Sequence, residues 1–379
     1  DWVMGVNFWG VVHGIRAFVP HLVEQDEGHV VNTASIAGFA YAPMMGPYNA
    51  SKFAVVAISE TLHAELAMSG ANVGVSVLCP GFVNTDITTS SRNRPASLSG
   101  REFTPEPEQA AMFKQLLESG KNVVTPVGWI YPGDSPGIAA LEAACQQGRV
   151  TLHGTGINPG GITERFPLMV SALCRDVRHV RAEEFSDIRN YPTEFVVREI
   201  MLFGKSPEDA AKSPMLEILG HGFMQSIDML AAELGFALDA EKRSAHEVAV
   251  ATKPLDTPVG VIDAGTCAAQ RFTWEGLVAG EPVITVRVNW LMGETDLDPP
   301  WTLGGQRFEV ALDADPPVEV TFHGLHPPVV GEQPEIGLIA PAMHCVNAVP
   351  YVCAAEPGIK TYLDLPLIAG RATAARTGS

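Results

Sequence analysis

Apolar residues recur at helical spacing from Val6 through Trp9, Ile15 and Phe18 to Leu22, so the opening stretch is expected to form an amphipathic helix over about residues 2–25. The pattern then shortens. GHVVNTASIAGF contains a continuous run over Val30–Ala34, the length of a buried strand, closed by Ser35 and a glycine turn. A second helix is expected over 48–68, and VGVSVLCPGFVNTDI supplies another buried strand, Val73–Cys79, that runs into Pro80 and Gly81. Between about residues 88 and 107 the pattern dissolves into hydroxyls, Gly, Pro and charge, which reads as a loop.

Beyond that loop, PEQAAMFKQLLESG is an amphipathic helix, KNVVTPVGWIYPG holds a strand, SPGIAALEAACQQG is a helix and RVTLHGTGINPGG holds another strand. This is a βαβ pattern. Strands near 29–34, 73–79, 121–127 and 150–156 are therefore candidates for one parallel sheet with helices on both faces. Afterwards the alternation fades. Helical stretches near 206–219 and 224–236 give way to SAHEVAVAT, TCAAQRFTWEGLV, PVITVRVNWLMG, QRFEVAL and PVEVTFHGL, which predict an antiparallel sheet.

Composition narrows the class. With 46% hydrophobic residues in 379, the chain has enough apolar content for folded cores, and its apolar runs stop short of a membrane span. A net charge of −18 argues against nucleic acid and anionic membrane as partners. Six cysteines lack any CxxC spacing, so buried thiols in a reducing cytoplasm are expected rather than disulfides.

The chemistry concentrates in GPYNASKFAV, where Tyr48 and Lys52 stand one helical turn apart and share a face. An ammonium beside a phenol favours the phenolate, which makes a general acid or base of a group that otherwise titrates near 10. A surface pair on an amphipathic helix is the plain structural alternative. Three further features accompany the pair: Asn7 inside the first helix, where an amide is a poor helix former; Ser35 thirteen residues before Tyr48; and Pro80-Gly81 followed by Thr85.

In this order and spacing, residues 1–118 resemble the second half of a short-chain dehydrogenase/reductase. The resemblance implies that Tyr48 exchanges a proton with a substrate oxygen, Ser35 holds that oxygen, Lys52 acidifies the tyrosine and contacts a ribose, and Asn7 fixes a relay water. It also implies that Tyr48, Lys52, Pro80, Gly81 and Thr85 border a nicotinamide cofactor, NAD or NADP, and that 88–107 forms a substrate lid. The family's glycine-rich phosphate turn has no counterpart upstream, so cofactor affinity is expected to be weakened. Because the chain starts without Met inside what the resemblance makes a mid-domain helix, it reads as a fragment, a processed chain or a fusion.

From about residue 120 onward, GKNVVTPVGWIYP, LHGTGINPGG, VRAEEFSDIRNY, CAAQRFTWEG and AMHCVNAVPYVCAAEPGIKTYLDLP resemble the C-terminal part of dihydrodipicolinate-reductase-like oxidoreductases, a group that includes diaminopentanoate and amine dehydrogenases. The reductases' paired-histidine-plus-lysine motif is missing. The fold expected is α/β, a partial Rossmann-like parallel sheet followed by an α+β domain with an antiparallel sheet. Its divisions fall at 1–119 and 120–379, the latter comprising a Rossmann remnant at 120–160, an α+β domain at 161–335, and a return helix and tail at 336–379.

Other candidates in the second region have plainer alternatives. Asn158 in GTGINPGG faces a ligand or sits in an interdomain turn; Glu183, Glu184 and Asp187 bind a substrate ammonium or form a solvated face. His323, His326 and His344 lack a metal-ligand pattern, so no metal is expected. Trp274 and Trp290 read as core, and His153 as structural. Three functions follow: an NAD(P)-dependent alcohol/carbonyl oxidoreductase using Ser35, Tyr48 and Lys52; an amine- or imine-directed oxidoreductase; or an inactive scaffold. The partner expected is a small-molecule substrate, in a homo-oligomer, with neither nucleic acid nor membrane.

Overall fold

The computed structural model describes residues 2–38, 46–79, 109–126, 128–133, 136–191, 194, 196–213, 215–302, 304–327 and 336–371. Its contacts divide the chain into two compact units, Asp1–Ser119 and Gly120–Ser379.

In the first unit, helix α1 (Gly10–Glu24) follows a π-helical turn over Gly5–Trp9. The widened turn includes Asn7, a poor helix former. Strand β1 (Gly28–Thr33), helix α2 (Gly46–Ser69) and strand β2 (Val73–Leu78) follow. β1 and β2 pair in parallel, from Gly28 opposite Val73 to Thr33 opposite Leu78. Two apolar clusters hold the unit: Ala34, Val55 and Val56 against Phe8 and Val11, and Leu62, Leu66 and Val73 against Ile15, Val19 and Leu22. Both strands were expected to be buried throughout. Instead Val31 is 59% and Leu78 52% exposed, because side chains alternate and the described helices cover one face of this two-stranded sheet.

After β1, a single 3-10 turn over Ile36–Gly38 presses on α2. A Cβ on Gly38 would stand 2.8 Å from the Lys52 carbonyl oxygen and 2.8 Å from Val56 Cγ2. Gly38→Ala is therefore expected to destabilise the first unit by about 1–3 kcal/mol, read as a lowered urea midpoint at unchanged slope.

Helix α3 (Gln109–Glu118) closes the first unit. The second opens with β3 (Val123–Thr125), α4 (Pro136–Gly148) and β4 (Thr151–Gly154). A short helix, α5 (Phe166–Ser171), leads into β5 (Arg175–Asp187), and α6 (Met215–Leu234) precedes a run of strands. These are β6 (Arg243–Ala251), β7 (Cys267–Val278), β8 (Glu281–Leu291), β9 (Leu297–Asp298), β10 (Arg307–Asp315) and β11 (Val318–Phe322). The chain then returns through α7 (Ile336–Ala354) to β12 (Gly358–Lys360).

The four strands expected in one parallel sheet are divided between two. β1 pairs with β2, while β3 and β4 form a three-stranded parallel sheet whose third member is β12, in the order β12-β4-β3. β12 escapes a reading of pattern because three residues carry no periodicity. The α+β part is a seven-stranded mixed sheet in the order β11-β10-β5-β8-β7-β6-β9, antiparallel except between β5 and β8. One face of it, including Val180, Ala182, Ile284, Val286, Val288, Phe272 and Trp274, packs into the main core with Phe223, Ile227 and Leu230 of α6.

Two helices near 206–219 and 224–236 are replaced by a single turn at Pro207–Ala210 and the unbroken α6. Gly220 and Gly222 do not end α6; they indent it. A Cβ on Gly220 would lie 2.8 Å from Trp274 Nε1, and one on Gly222 2.9 Å from Pro159 Cγ. Trp274 fills the first dent and donates to the Leu216 carbonyl at 3.2 Å. Among the described residues no helix is long and apolar enough to cross a membrane.

Candidate active site

Helical spacing places Tyr48 and Lys52 on one face of α2, and Lys52 Nζ lies 5.7 Å from the centroid of the Tyr48 ring. Lys52 is buried, 9% exposed, and donates to the Thr33 carbonyl at 3.3 Å, the last residue of β1. Burial lowers the Lys52 pKa below its ordinary value, with the Cys79 thiol acting in the opposite direction. An ammonium has three donors, and among the described residues one is used. Among the described residues the Tyr48 hydroxyl makes no hydrogen bond.

Ser35 follows β1 by two residues and is buried; its Oγ accepts from the Ala37 amide at 3.2 Å. The turn that carries it lies against the backbone of Lys52 through Gly38. Asn7 joins the same helix by a different route: its Nδ2 donates to Ser51 Oγ at 3.1 Å, and Ser51 Oγ donates to the Tyr48 carbonyl at 2.7 Å. Asn7, Tyr48, Ser51, Lys52 and Thr33 thus form one connected set, with Ser35 on the adjoining turn. Pro80, Gly81 and Thr85, together with the lid expected at 88–107, lie outside the described residues.

A second polar centre lies on β5 of the second unit. Glu183, Glu184 and Asp187 do not form a solvated face. Glu183 is 5% exposed, accepts from Asn289 Nδ2 at 2.9 Å and pairs with Arg181, while Asp187 pairs with Arg189 at 2.5 Å. Glu184, on the opposite face from Glu183, accepts from Asn158 Nδ2 at 2.5 Å, Ser186 Oγ at 2.6 Å and Trp290 Nε1 at 3.0 Å. Those three donors are neutral, and among the described residues no cation pairs with Glu184.

Asn158 reaches Glu184 because the 154–161 loop closes on itself. Gly160 has φ +136°, and a Cβ there would lie 2.2 Å from the Gly156 carbonyl oxygen. The histidines are taken up separately. His326 Nε2 lies 3.0 Å from Ser186 Oγ and its ring stacks on Phe308 at 4.6 Å, whereas His344 Nδ1 lies 2.9 Å from Thr155 Oγ1 and 3.0 Å from the Tyr362 hydroxyl. Trp274 and Trp290 are buried. Among the described residues no group of three or more His, Cys, Asp or Glu gathers as metal ligands would.

Residues 1–96 match the family profile described as short chain dehydrogenase, and residues 162–290 match that of the 2,4-diaminopentanoate dehydrogenase C-terminal domain. The two matched segments thus resemble different dehydrogenase families and are separated by residues 97–161. The first matched segment carries the Tyr48–Lys52 helix; the second carries Glu184 and most of the seven-stranded sheet. An amine dehydrogenase from Streptomyces virginiae is 28% identical over 69% of this chain and 74% of that protein. A C alpha-dehydrogenase from Sphingobium is 33% identical over 32% of this chain and 39% of its own length, so the chain spans well under half of that relative. An amine dehydrogenase structure from Mycobacterium smegmatis shares the fold, with a TM-score of 0.54 over 93% of this chain and 99% of that one at 16% identity.

Ser51 and Thr33 were not singled out by spacing in the short-chain dehydrogenase segment, although Ser51 sits three residues after Tyr48 on its face. In the other segment, Ser186 and Trp290 reach Glu184 through the β5–β8 register, which places Ser186 opposite Trp290. That register is not readable from a single strand.

Proposed function

We propose that the chain is a nicotinamide-dependent oxidoreductase whose proton-transferring group is Tyr48, supported by Lys52 and Ser35. The observation that carries this reading is the buried Lys52 ammonium beside the Tyr48 ring, with one of its three donors engaged among the described residues. A buried amine with spare donors is costly unless it serves a ligand, and this donor set fits vicinal ribose hydroxyls. Tyr48 and Lys52 would hold the cofactor's ribose side, and the cofactor, when bound, accepts or supplies hydride.

The chain's own residues account for the proton. Ser35 Oγ donates a hydrogen bond to the substrate oxygen and orients it, while the Tyr48 phenolate takes the proton from an alcohol, or the Tyr48 phenol gives its proton to a carbonyl. Lys52 stabilises the phenolate by its charge. Asn7 acts through Ser51 on the backbone of Tyr48, which makes it a positioning residue here.

Tyr48→Phe is expected to lower alcohol- or ketone-coupled nicotinamide turnover by about 10²–10⁴-fold with an unchanged melting profile. Turnover surviving intact in that variant overturns the reading. Glu184 favours a second one: a carboxylate held by three neutral donors, with no Lys or Arg paired to it among the described residues, is suited to a substrate ammonium. Amine oxidation that is indifferent to Tyr48→Phe but lost in Glu184→Gln selects it.

A further inference from the structure

Helix α7 holds no Asp, Glu, Lys or Arg over its 19 residues. Burial divides it lengthwise. Ala348 and Val352 face inward into a cluster with Leu365 and Ile368, and on the same side His344 reaches Thr155 and Tyr362. The other side carries Ile339, Met343, Val346, Val349 and Cys353, which recur every three or four residues and are all exposed, Val346 by 54%. A helix of this kind ordinarily turns charged and polar side chains to solvent. Here solvent meets an apolar stripe about 21 Å long at 1.5 Å per residue, and exposed apolar patches mark interaction surfaces.

Two observations select a second copy of this chain as what covers the stripe. The first is its spacing, which is symmetric about Val346: an antiparallel two-fold through that residue sets Ile339 against Cys353, Ala342 against Pro350 and Met343 against Val349, each an apolar pair. The second is the surface at its C-terminal end, where Pro350 and Ala354 pass into a groove of about 510 Å³ walled by Tyr351, Leu365 and Pro366. The same two-fold brings the N-terminal half of one stripe toward the groove of the other chain, so each copy presents a ridge and a hollow. The charged residues of the groove are two acids, Glu356 and Asp364, and two bases, Lys360 and Arg371. That rim is balanced in a chain of net charge −18, so two copies meet here without like-charge repulsion. Among the described residues Glu356, Lys360 and Arg371 make no ion pair within the chain, which leaves both signs available to a second one.

We propose that α7 is a homodimer contact, in which the exposed stripe of one chain packs antiparallel against that of a second about a two-fold axis at Val346. One helix face with its adjoining groove is a small interface, so the dimer is expected to dissociate on dilution.

The test is sedimentation velocity of the full chain from about 1 to about 100 μM, repeated with Val346→Glu. Val346 lies in solvent in the single chain, so the variant is expected to fold, which its melting midpoint at the lowest concentration checks. The wild type is expected to pass from monomer to dimer over this range, and association is expected to be weakened about tenfold or more in the variant, because an unpaired carboxylate then enters the contact from each side of the axis. Orientation is read with a short bismaleimide. In Ile339→Cys the introduced thiol is expected to be joined to Cys353 of the partner subunit, whereas the wild type, whose two Cys353 thiols stand at opposite ends of the contact, is not cross-linked through this residue. A monomer over the whole range, a dimer of equal strength in Val346→Glu, or a dimer that gives no Ile339→Cys link overturns the proposal. These readouts use neither cofactor nor turnover, so they are independent of whether Tyr48 is catalytic.

Discussion

Lys52→Met is expected to remove nicotinamide-coupled turnover, by about 10²-fold or more, while leaving the first unit as stable as before or more stable at neutral pH. The two halves of this result have one cause. Burial depresses the Lys52 pKa, so the folded state is penalised whenever the amine is charged. Between the lowered folded value and the ordinary unfolded value the unfolded chain binds more protons, and stability rises with pH there. Below the folded value the full penalty applies. Methionine fills similar space without charge, so the variant loses that slope and gains at neutral pH what the amine costs. A purely structural lysine predicts the reverse: a destabilised variant, seen as a lower urea midpoint.

The second large effect concerns Glu164. Its pKa is pushed up to about 8 by burial, against hydrogen bonds from Ser226, Thr163 and Gly160 that act to lower it. Here the folded state binds more protons than the unfolded one between the ordinary carboxyl value and about 8. Stability from this group is therefore complete below the unfolded value and is lost as pH rises through that window. The loss is on the order of 4 kcal/mol, or about 10 °C in melting midpoint for a unit of this size. Glu164→Gln should match the wild type near pH 5 and exceed it by about that amount above pH 8. Identical pH profiles for the two proteins would show that the carboxyl is not held neutral. Buried histidines shape the acid side of both profiles alike: His344, held down to about 4 chiefly by burial, costs stability as pH falls from its ordinary value toward 4.

Legibility in the sequence followed the reach of each interaction. Tyr48 and Lys52 were readable because their relation is local, four residues along one helix. The βαβ segments and the switch to an antiparallel sheet were readable because periods of 3.6 and 2 are properties of single segments. Relations between segments were not. The expectation of one hybrid parallel sheet failed because pairing partners are chosen by register across long separations, and β4 pairs with β12 two hundred residues away rather than extending the β1–β2 pair.

Glycine produced the same kind of error in α6. Helical stretches were expected near 206–219 and 224–236, yet α6 runs through the gap, with Trp274 and Pro159 in the space that the missing side chains of Gly220 and Gly222 leave, a tertiary reason invisible to propensity. The acidic cluster on β5 looked like surface because charge usually is. Its shielding follows from neighbours on β8 and on the 154–161 loop: Asn289 donates to Glu183, and Trp290 and Asn158 donate to Glu184. Asn7 was legible as an anomaly in a helix, but its contact with Ser51 was not.

The central claim is that the Lys52 ammonium is held beside Tyr48 to serve a nicotinamide cofactor. Calorimetric titration of NADH and NADPH into the full chain and into Lys52→Met tests it most directly. The account predicts saturable binding of one of the two by the wild type, weakened about tenfold or more in the variant through loss of charge-assisted hydrogen bonds. Absence of binding to the wild type, or equal affinity in both proteins, would contradict it.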